Sequence, residues 1–373
     1  MRLLYFLNSI TNSGGMERIV IDKINYLVQC NGYYVDLAYY GTSDDTPFFH
    51  INNDVNLHAI NGVKTDNSMI SKILSIFYLL KAIRILINDV KPDVIINANA
   101  ILVSWILPFI RKRIPKIVEL HFSFEGMKII NKEQYGKNFL KKWINHLLRK
   151  WIYPLYDKCV LLTKEDLNDW HFKNAIVIPN FTNIKPTKFN TTDKRKTIIN
   201  VGRLTYQKNQ QILIDAWSIV SPKAPDWNLE IWGNGELYDS LKTQISSLGL
   251  NDKVKLMGVS NQIEDIYSYA SFFVLSSRYE GQPLVMIEAL QSSLPCVCFA
   301  VNGVRGTIIN GENGYIIEDM TAKALANGIL NMIKNENKLP SMAINAKKSA
   351  EVFEKELIMK HWIELFESLR AKS

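Results

Sequence analysis

Short apolar runs alternate along the chain with longer stretches in which apolar positions recur every three or four residues. The short runs read as strands and the longer pattern as helices. In the first half the strand-like runs are LLYFL (Leu3–Leu7), YYVDLAYY (Tyr33–Tyr40), DVIINA (Asp93–Ala98), KIVELH (Lys116–His121), KCVLLT (Lys158–Thr163) and AIVIP (Ala175–Pro179). Helices are predicted over Met16–Cys30 and Ile70–Asn88. From Asn180 to Lys196 the chain turns to Asn, Thr, Lys and Pro without periodicity, which reads as a linker. The alternation then restarts with TIINVG (Thr197–Gly202), NLEIWG (Asn228–Gly233), KVKLMG (Lys253–Gly258), SFFVLS (Ser271–Ser276) and PCVCFA (Pro295–Ala300). Helices are predicted from about Asn209, over Glu236–Leu248 and after Pro283. This is the pattern of a mostly parallel sheet wrapped by helices. The expected fold class is α/β, as two doubly wound domains in tandem.

A chain of 373 residues is long for one domain, which agrees with that division. Hydrophobic content of 47% and charged content of 21% are ordinary for a globular protein. Cysteines are few: Cys296 and Cys298 fall in an apolar strand, and Cys30 and Cys159 have no metal-like partners nearby. Inert thiols in a reducing compartment are expected. The apolar run at the start of MRLLYFLNSI is too short for a signal peptide. Val94–Ile110 is interrupted by Asn97, Asn99, Ser104 and Pro108 and reads as a strand followed by a helix, not as a membrane span.

The net charge of +8 changes the picture more. Between Arg111 and Lys150 stand eleven Lys and Arg against Glu119, Glu125 and Glu133, so this window alone carries the excess. An extended negative partner is expected on that side.

Candidate chemistry collects where predicted strands end, the usual ligand edge of an open α/β sheet. RYEGQPLVMIE (Arg278–Glu288) sets two carboxylates eight positions apart with a proline between them. Proline suits the first turn of a helix, so the helix should start near Pro283 and run through Leu284–Leu290. Glu280 then lies in the loop and Glu288 about a turn and a half inside. Between them is a helix N-terminus, a natural anion site, and Gly281 admits close approach of a ligand. The stretch suits a ligand with an anionic middle and hydroxyls at both ends, as in a nucleotide-sugar. It equally suits a buried helix with one surface acid and one capping acid.

The remaining loops point the same way, each weakly. Arg203 and Lys208 in GRLTYQKNQ place two cations at a helix entrance, where acids are favoured, which makes sense if an anion binds there. Arg offers a bidentate fork and Lys a point charge, suited to a diphosphate; solvated surface charges are the other reading. Gly14 and Gly15 follow a strand and precede a helix without GxGxxG, so they form either a flexible turn or a close approach to phosphate or sugar. His121 ends a strand as a hydrogen-bonded structural residue or as a catalyst. GNGE (Gly233–Glu236) is a fifth such loop, and together the five suggest one cleft between the domains. No Asp-x-Asp and no helical histidine pair occur, so a metal site of contiguous ligands is not expected.

GGMERIVIDKINYLV, INVGRLTYQKNQ, IWGNGELYDSLKTQISSLGLNDKVKLMGV and SSRYEGQPLVMIEALQSSLPCV together resemble a family-4 retaining glycosyltransferase of the GT-B fold with its Glu-x7-Glu motif. The resemblance covers essentially the whole chain and is strongest from Asn200 to Ala300. It implies two Rossmann-like domains facing across an inter-domain cleft: an acceptor-binding one over 1–185 and a nucleotide-sugar-binding one over 186–351, with a helix at about 352–373 packing back on the first. It implies that Arg203 and Lys208 hold the donor diphosphate, with Gly14 and Gly15 approaching from the other domain. Glu288 would bind the ribose hydroxyls and Glu280 the transferred sugar. The backbone from Gly281 through Gln282, Pro283, Leu284 and Val285 would complete the phosphate cradle, and Gly258 and Val259 would lie beside the base. His121 matches a histidine near the anomeric centre, although LHFSFEG departs from the commoner His-Asp arrangement. A UDP-sugar is the donor that family frequency implies, with retention, no metal, no cofactor and no nucleic-acid partner. A sugar-nucleotide 2-epimerase on similar tandem domains is the alternative.

KNFLKKWINHLLRKWIY (Lys137–Tyr153) carries an apolar stripe of Phe139, Leu140, Trp143, Ile144, Leu147, Leu148 and Trp151, flanked by Lys137, Lys141, Lys142, Arg149 and Lys150. Either the stripe packs on the sheet, or the basic 111–153 region lies on an anionic membrane surface. On the second reading the protein is cytoplasmic, peripheral on the inner membrane face, and serves a saccharide or lipid-linked acceptor.

Overall fold

The computed structural model describes the chain apart from residues 31, 61–68, 99, 130–138, 185–194, 261 and 372–373, and apart from the side chains of 69–75, 101, 139, 141, 145 and 149. Most of the predicted linker lies outside the described residues. The chain divides into two compact units. Unit 1 comprises Met1–His121, Ile130–Pro179 and Glu356–Ser373; unit 2 comprises Phe122–Ile129 and Asn180–Lys355. The boundary thus falls six residues before the expected 185, and a short segment from the first half of the sequence groups with the second unit.

Unit 1 is built on β1 (Arg2–Leu7), β2 (Tyr34–Tyr40), β3 (Asn56–Ile60), β4 (Val94–Ala98), β5 (Lys116–Glu119), β6 (Lys158–Leu161) and β7 (Ala175–Val177). They form one parallel sheet in the order β3-β2-β1-β4-β5-β6-β7. Its helices include α1 (Gly15–Gln29), α2 (Met69–Val90), α3 (Ile101–Ile106), α5 (Phe139–Leu147) and α6 (Lys164–Trp170); α4 (Phe124–Ile129) goes with unit 2. The Val94–Ile110 run is a strand and a short helix, as its polar interruptions predict.

Unit 2 has β8 (Thr197–Val201), β9 (Asn228–Trp232), β10 (Val254–Gly258), β11 (Phe272–Leu275), β12 (Cys296–Phe299) and β13 (Gly314–Ile317), parallel in the order β10-β9-β8-β11-β12-β13. Between and after them run α7 (Gln210–Val220), α8 (Tyr238–Ser247), α9 (Ile263–Tyr269), α10 (Leu284–Gln291), α11 (Ala322–Lys334) and α12 (Leu339–Ala350). The final helix, α13 (Lys355–Arg370), groups with unit 1 from Glu356 onward.

Parallel sheets covered on both faces need strands apolar on both sides. In unit 2 alternate residues of one strand therefore serve different cores. Phe272, Val274, Val297 and Phe299 join one cluster; Phe273, Leu275, Cys296 and Cys298 join the other. The four cysteines are free thiols, and burial pushes the Cys159 thiol up to about 12.

Both sheets reverse their winding beside their first strand, between β1 and β4 and between β8 and β11. At such a switch point the loops leaving two neighbouring strands run to opposite faces and open a crevice. In unit 2 those loops are 202–209 and 276–283, the two richest in candidate residues.

Candidate active site

In unit 2 the two switch-point loops are bonded to each other. The Arg278 amide donates to the Gln207 carbonyl (2.8 Å), and Ser276 Oγ to the Lys208 carbonyl (2.9 Å). Gln207 Nε2 donates to the Tyr279 carbonyl (3.0 Å) and reaches Glu280 at 3.3 Å. Lys208 Nζ then pairs with Glu280 Oε1 at 2.6 Å, both side chains largely buried. Lys208 and Glu280, 72 positions apart in sequence, are thus brought together. Lysine has three protons, so this contact leaves two for an anion. Arg203 is exposed, and its side chain makes no hydrogen bond or ion pair among the described residues; only its carbonyl is engaged, by Gln210 Nε2 at 3.0 Å.

The arginine loop is held by a backbone fit. A Cβ on Gly233 would stand 2.0 Å from the Gly202 carbonyl oxygen, and one on Gly235 2.4 Å from that of Leu204. The Leu204 amide donates to the Asn234 carbonyl at 3.0 Å, and the Gly202 amide to the Trp232 carbonyl at 2.9 Å. The GNGE loop therefore supports the arginine loop; its glycines are required by close packing.

α10 starts at Leu284 with Pro283 as its N-terminal flank. That places Glu280 in the loop and Glu288 within the helix, as the proline predicts. Glu288 is buried, and Tyr267 Oη on α9 donates to its Oε2 at 3.1 Å and to the Val285 carbonyl at 3.3 Å. Tyr267 went unnoticed in the sequence, because a seven-residue helix leaves no clear periodicity. Gln282 is buried, and its Oε1 accepts from the Asn180 amide at 2.6 Å, which ties the loop to the entry of the unit. Gly258 adopts φ +77°, a conformation that favours glycine, and its carbonyl accepts from the Gly233 amide at 2.7 Å. Val259 beside it is 74% exposed.

The other candidates belong to unit 1. Gly14 flanks the N-terminus of α1 and Gly15 is its first residue. Glu17 occupies that first turn, buried, with Asn12 Nδ2 at 3.3 Å from its Oε1. An acid is favoured at a helix N-terminus, and it adds a negative charge beside the turn read as a phosphate approach. His121 follows β5 closely with its side chain buried, its Nε2 3.1 Å from Glu119 Oε2. Lys23 Nζ of α1 reaches the same oxygen at 2.6 Å. Burial pushes the Lys23 ammonium down, with the Glu119 charge opposing. For Glu119 burial works upward, but the Lys23 charge and the His121 contact outweigh it and hold the carboxyl below its ordinary range. Glu119, counted in the sequence among the acids of a basic surface window, is in fact an interior ion-pair partner.

Two parallel doubly wound sheets, with an anion-suited helix end and a lysine–glutamate pair at the switch point of the second, define a GT-B α/β fold. Residues 182–349 match the model of glycosyl transferases group 1, and residues 13–185 that of glycosyltransferase family 4. The chain belongs to the family-4 glycosyltransferases. It is 29% identical over 96% of its length to an uncharacterized glycosyltransferase of Haemophilus influenzae, 98% of which is covered. It is 24% identical to a Campylobacter jejuni N-acetyl-D-galactosaminyltransferase named for a PP-undecaprenol saccharide, with 99% of each chain covered. Among solved structures, sucrose-phosphate synthase from Thermosynechococcus elongatus superposes with a TM-score of 0.82 at 18% identity, covering 100% of both chains. Anabaena HepE in complex with UDP-glucose gives 0.74 at 19% identity, over 99% of this chain and 100% of that one.

Proposed function

We propose that this glycosyltransferase moves a sugar from a UDP-sugar to a saccharide or lipid-linked saccharide acceptor in bacterial surface polysaccharide synthesis, with retention and without a divalent metal. The observation that carries the reading is the Lys208–Glu280 pair at the switch point, directly before the helix that holds Glu288. A nucleotide-sugar reacts by parting an oxocarbenium-like sugar from a diphosphate. Stabilising the charge that grows on the leaving group is the largest help an enzyme can give. Lys208, Arg203 and the N-terminal amides of α10 supply fixed positive charge for it. Glu280, held by that lysine, faces the sugar, and Glu288, held by Tyr267, takes the ribose hydroxyls. In unit 1, His121 is read as a contact of the transferred sugar and the Gly14–Gly15 turn as an approach to phosphate. The HepE complex supports UDP, and the Campylobacter relative supports a lipid-linked acceptor.

A membrane surface is part of this reading. Among the described residues no helix is long and apolar enough to cross a membrane. On α5 and the turn after it, however, Leu140 is 61% exposed, Trp143 49% and Trp151 58%, while Leu148 is buried. The outer part of the stripe thus faces away from the core, next to exposed Lys150. Lys137 and the side chains of Phe139, Lys141 and Arg149 lie outside the described residues. Exposed Trp and Leu beside lysine suit an anionic interface.

Thermal-shift screening against a panel of nucleotide-sugars, followed by incubation of the best binder with and without acceptor extracts, tests the proposal. Stabilisation by a UDP-sugar and product only with acceptor are expected. An epimer formed without acceptor would instead establish the 2-epimerase.

A further inference from the structure

Lys23 of α1 and Glu119 at the end of β5 lie 96 positions apart and form an ion pair almost sealed from solvent. Lys23 Nζ also stands 3.7 Å from the centre of the Trp362 ring on α13 and 5.7 Å from that of Tyr5 on β1. A buried ion pair adds little stability over apolar residues of the same volume. What this pair does supply is an ionised carboxylate facing an imidazole. His121 Nε2 and Lys23 Nζ share Glu119 Oε2, while Oε1 is buried without a hydrogen-bond partner among the described residues. A carboxylate kept ionised by a lysine has no proton to donate, so the hydrogen in the His121 contact sits on the imidazole Nε2. In a neutral ring the other nitrogen, Nδ1, is then an acceptor.

We propose that Lys23 and Glu119 are positioning residues that lock His121 as its Nε2–H tautomer, so that Nδ1 offers a lone pair to a sugar hydroxyl. The inference rests on the reading of His121 as a neighbour of the transferred sugar. Trp362 closes the device: its ring lies against the lysine ammonium, and a cation set against an aromatic face in a dry site is held in place. The same α1 carries the Gly14–Gly15 turn at its start. One helix thus bears both the turn and the lysine that governs the histidine.

The test is ¹⁵N-histidine NMR of the full chain near neutral pH, with the His121 signals among the six histidines assigned by their loss in His121→Asn. Protonated and bare ring nitrogens resonate far apart, so the tautomer is read directly. The expected result is a proton on Nε2 in the unmodified protein; a proton on Nδ1 would overturn the proposal, and this arm needs no variant of the pair. The second arm is Lys23→Met/Glu119→Gln, which removes both charges together and strands neither. Its expected signature is an unchanged Tm with mixed tautomers, the donor KM little altered and kcat down roughly tenfold or more. An unchanged kcat in this variant would overturn the positioning role. Should the unmodified protein transfer no sugar from any nucleotide-sugar, the functional reading fails, and the tautomer measurement still decides this one.

Discussion

Lys208 Nζ and Glu280 Oε1 lie 2.6 Å apart, one on the loop after β8 and the other on the loop after β11. The two residues assigned to different parts of the donor are thus partners of each other. Removing Lys208 leaves a nearly buried carboxylate without its cation, whereas Arg203 stands clear of the pair.

Arg203→Ala should therefore leave Tm unchanged and weaken UDP binding, measured by calorimetry, about tenfold or more. Loss of a charge-assisted contact of ~1.5–3 kcal/mol gives that range. Lys208→Ala should weaken binding comparably and also lower Tm, because Glu280 is left nearly buried without its cation. Full affinity in both variants would remove the diphosphate assignment.

The two acids should fail differently. Glu288→Gln is expected to weaken UDP itself, and Tyr267→Phe to do so by a smaller factor, roughly two- to tenfold, because Tyr267 acts only by holding Glu288. Glu280→Gln should spare UDP affinity and lose turnover. Equal losses of UDP affinity in Glu280→Gln and Glu288→Gln would show the roles to be wrongly divided.

Gly235→Ala carries no charge change, yet its methyl group would meet the Leu204 carbonyl oxygen at 2.4 Å. A cost of about 1–3 kcal/mol is expected from such overpacking. Denaturant melts should record it, together with weaker donor binding as the arginine loop is displaced. An unaltered melt would mean that the two loops part without cost.

Transfer should persist in EDTA, since the positive charge at the leaving group comes from Arg203, Lys208 and α10. Activity lost in EDTA and restored by manganese would refute this.

Sedimentation with vesicles should show binding to anionic lipid that fades as salt rises. Trp143→Ser combined with Trp151→Ser should reduce it without changing Tm, since both side chains are about half exposed or more. Equal recovery in the supernatant with neutral and anionic vesicles at low salt would end the membrane reading.

What the sequence made legible follows from where the signal resides. Interior strands such as FFVL (β11), and VIINA (β4) with Asn97 its one polar residue, are otherwise apolar and announce themselves. β3, with NLHAI half exposed at the sheet edge, and the short edge strand β13 do not. Pro283 marked the start of α10 because its chemistry is local. Glu119 could not be recognised as a partner of Lys23, since nothing in the residues between them encodes that meeting. The passage of Phe122–Ile129 to unit 2 has no periodicity to betray it: there a Cβ on Gly126 would lie 3.1 Å from Tyr279, a contact visible only in three dimensions.

The return of α13 to unit 1 has a consequence for how the protein is made. Ile358, Met359, Trp362, Leu365, Phe366 and Leu369 are buried, and Tyr33 Oη donates to Glu367 at 3.1 Å. The ribosome delivers this helix only after the whole of the second unit has been synthesised. At about 5–20 residues per second, the earlier part of unit 1 waits roughly 10–40 s for its last piece. During that interval Lys23 has no Trp362 over it and the face meant for α13 is bare. Unit 2, whose earlier segment Phe122–Ile129 is already made and which ends at Lys355, faces no such wait. It is therefore expected to finish folding first although it is translated second, and the nascent first unit is the form of this protein most in need of a chaperone.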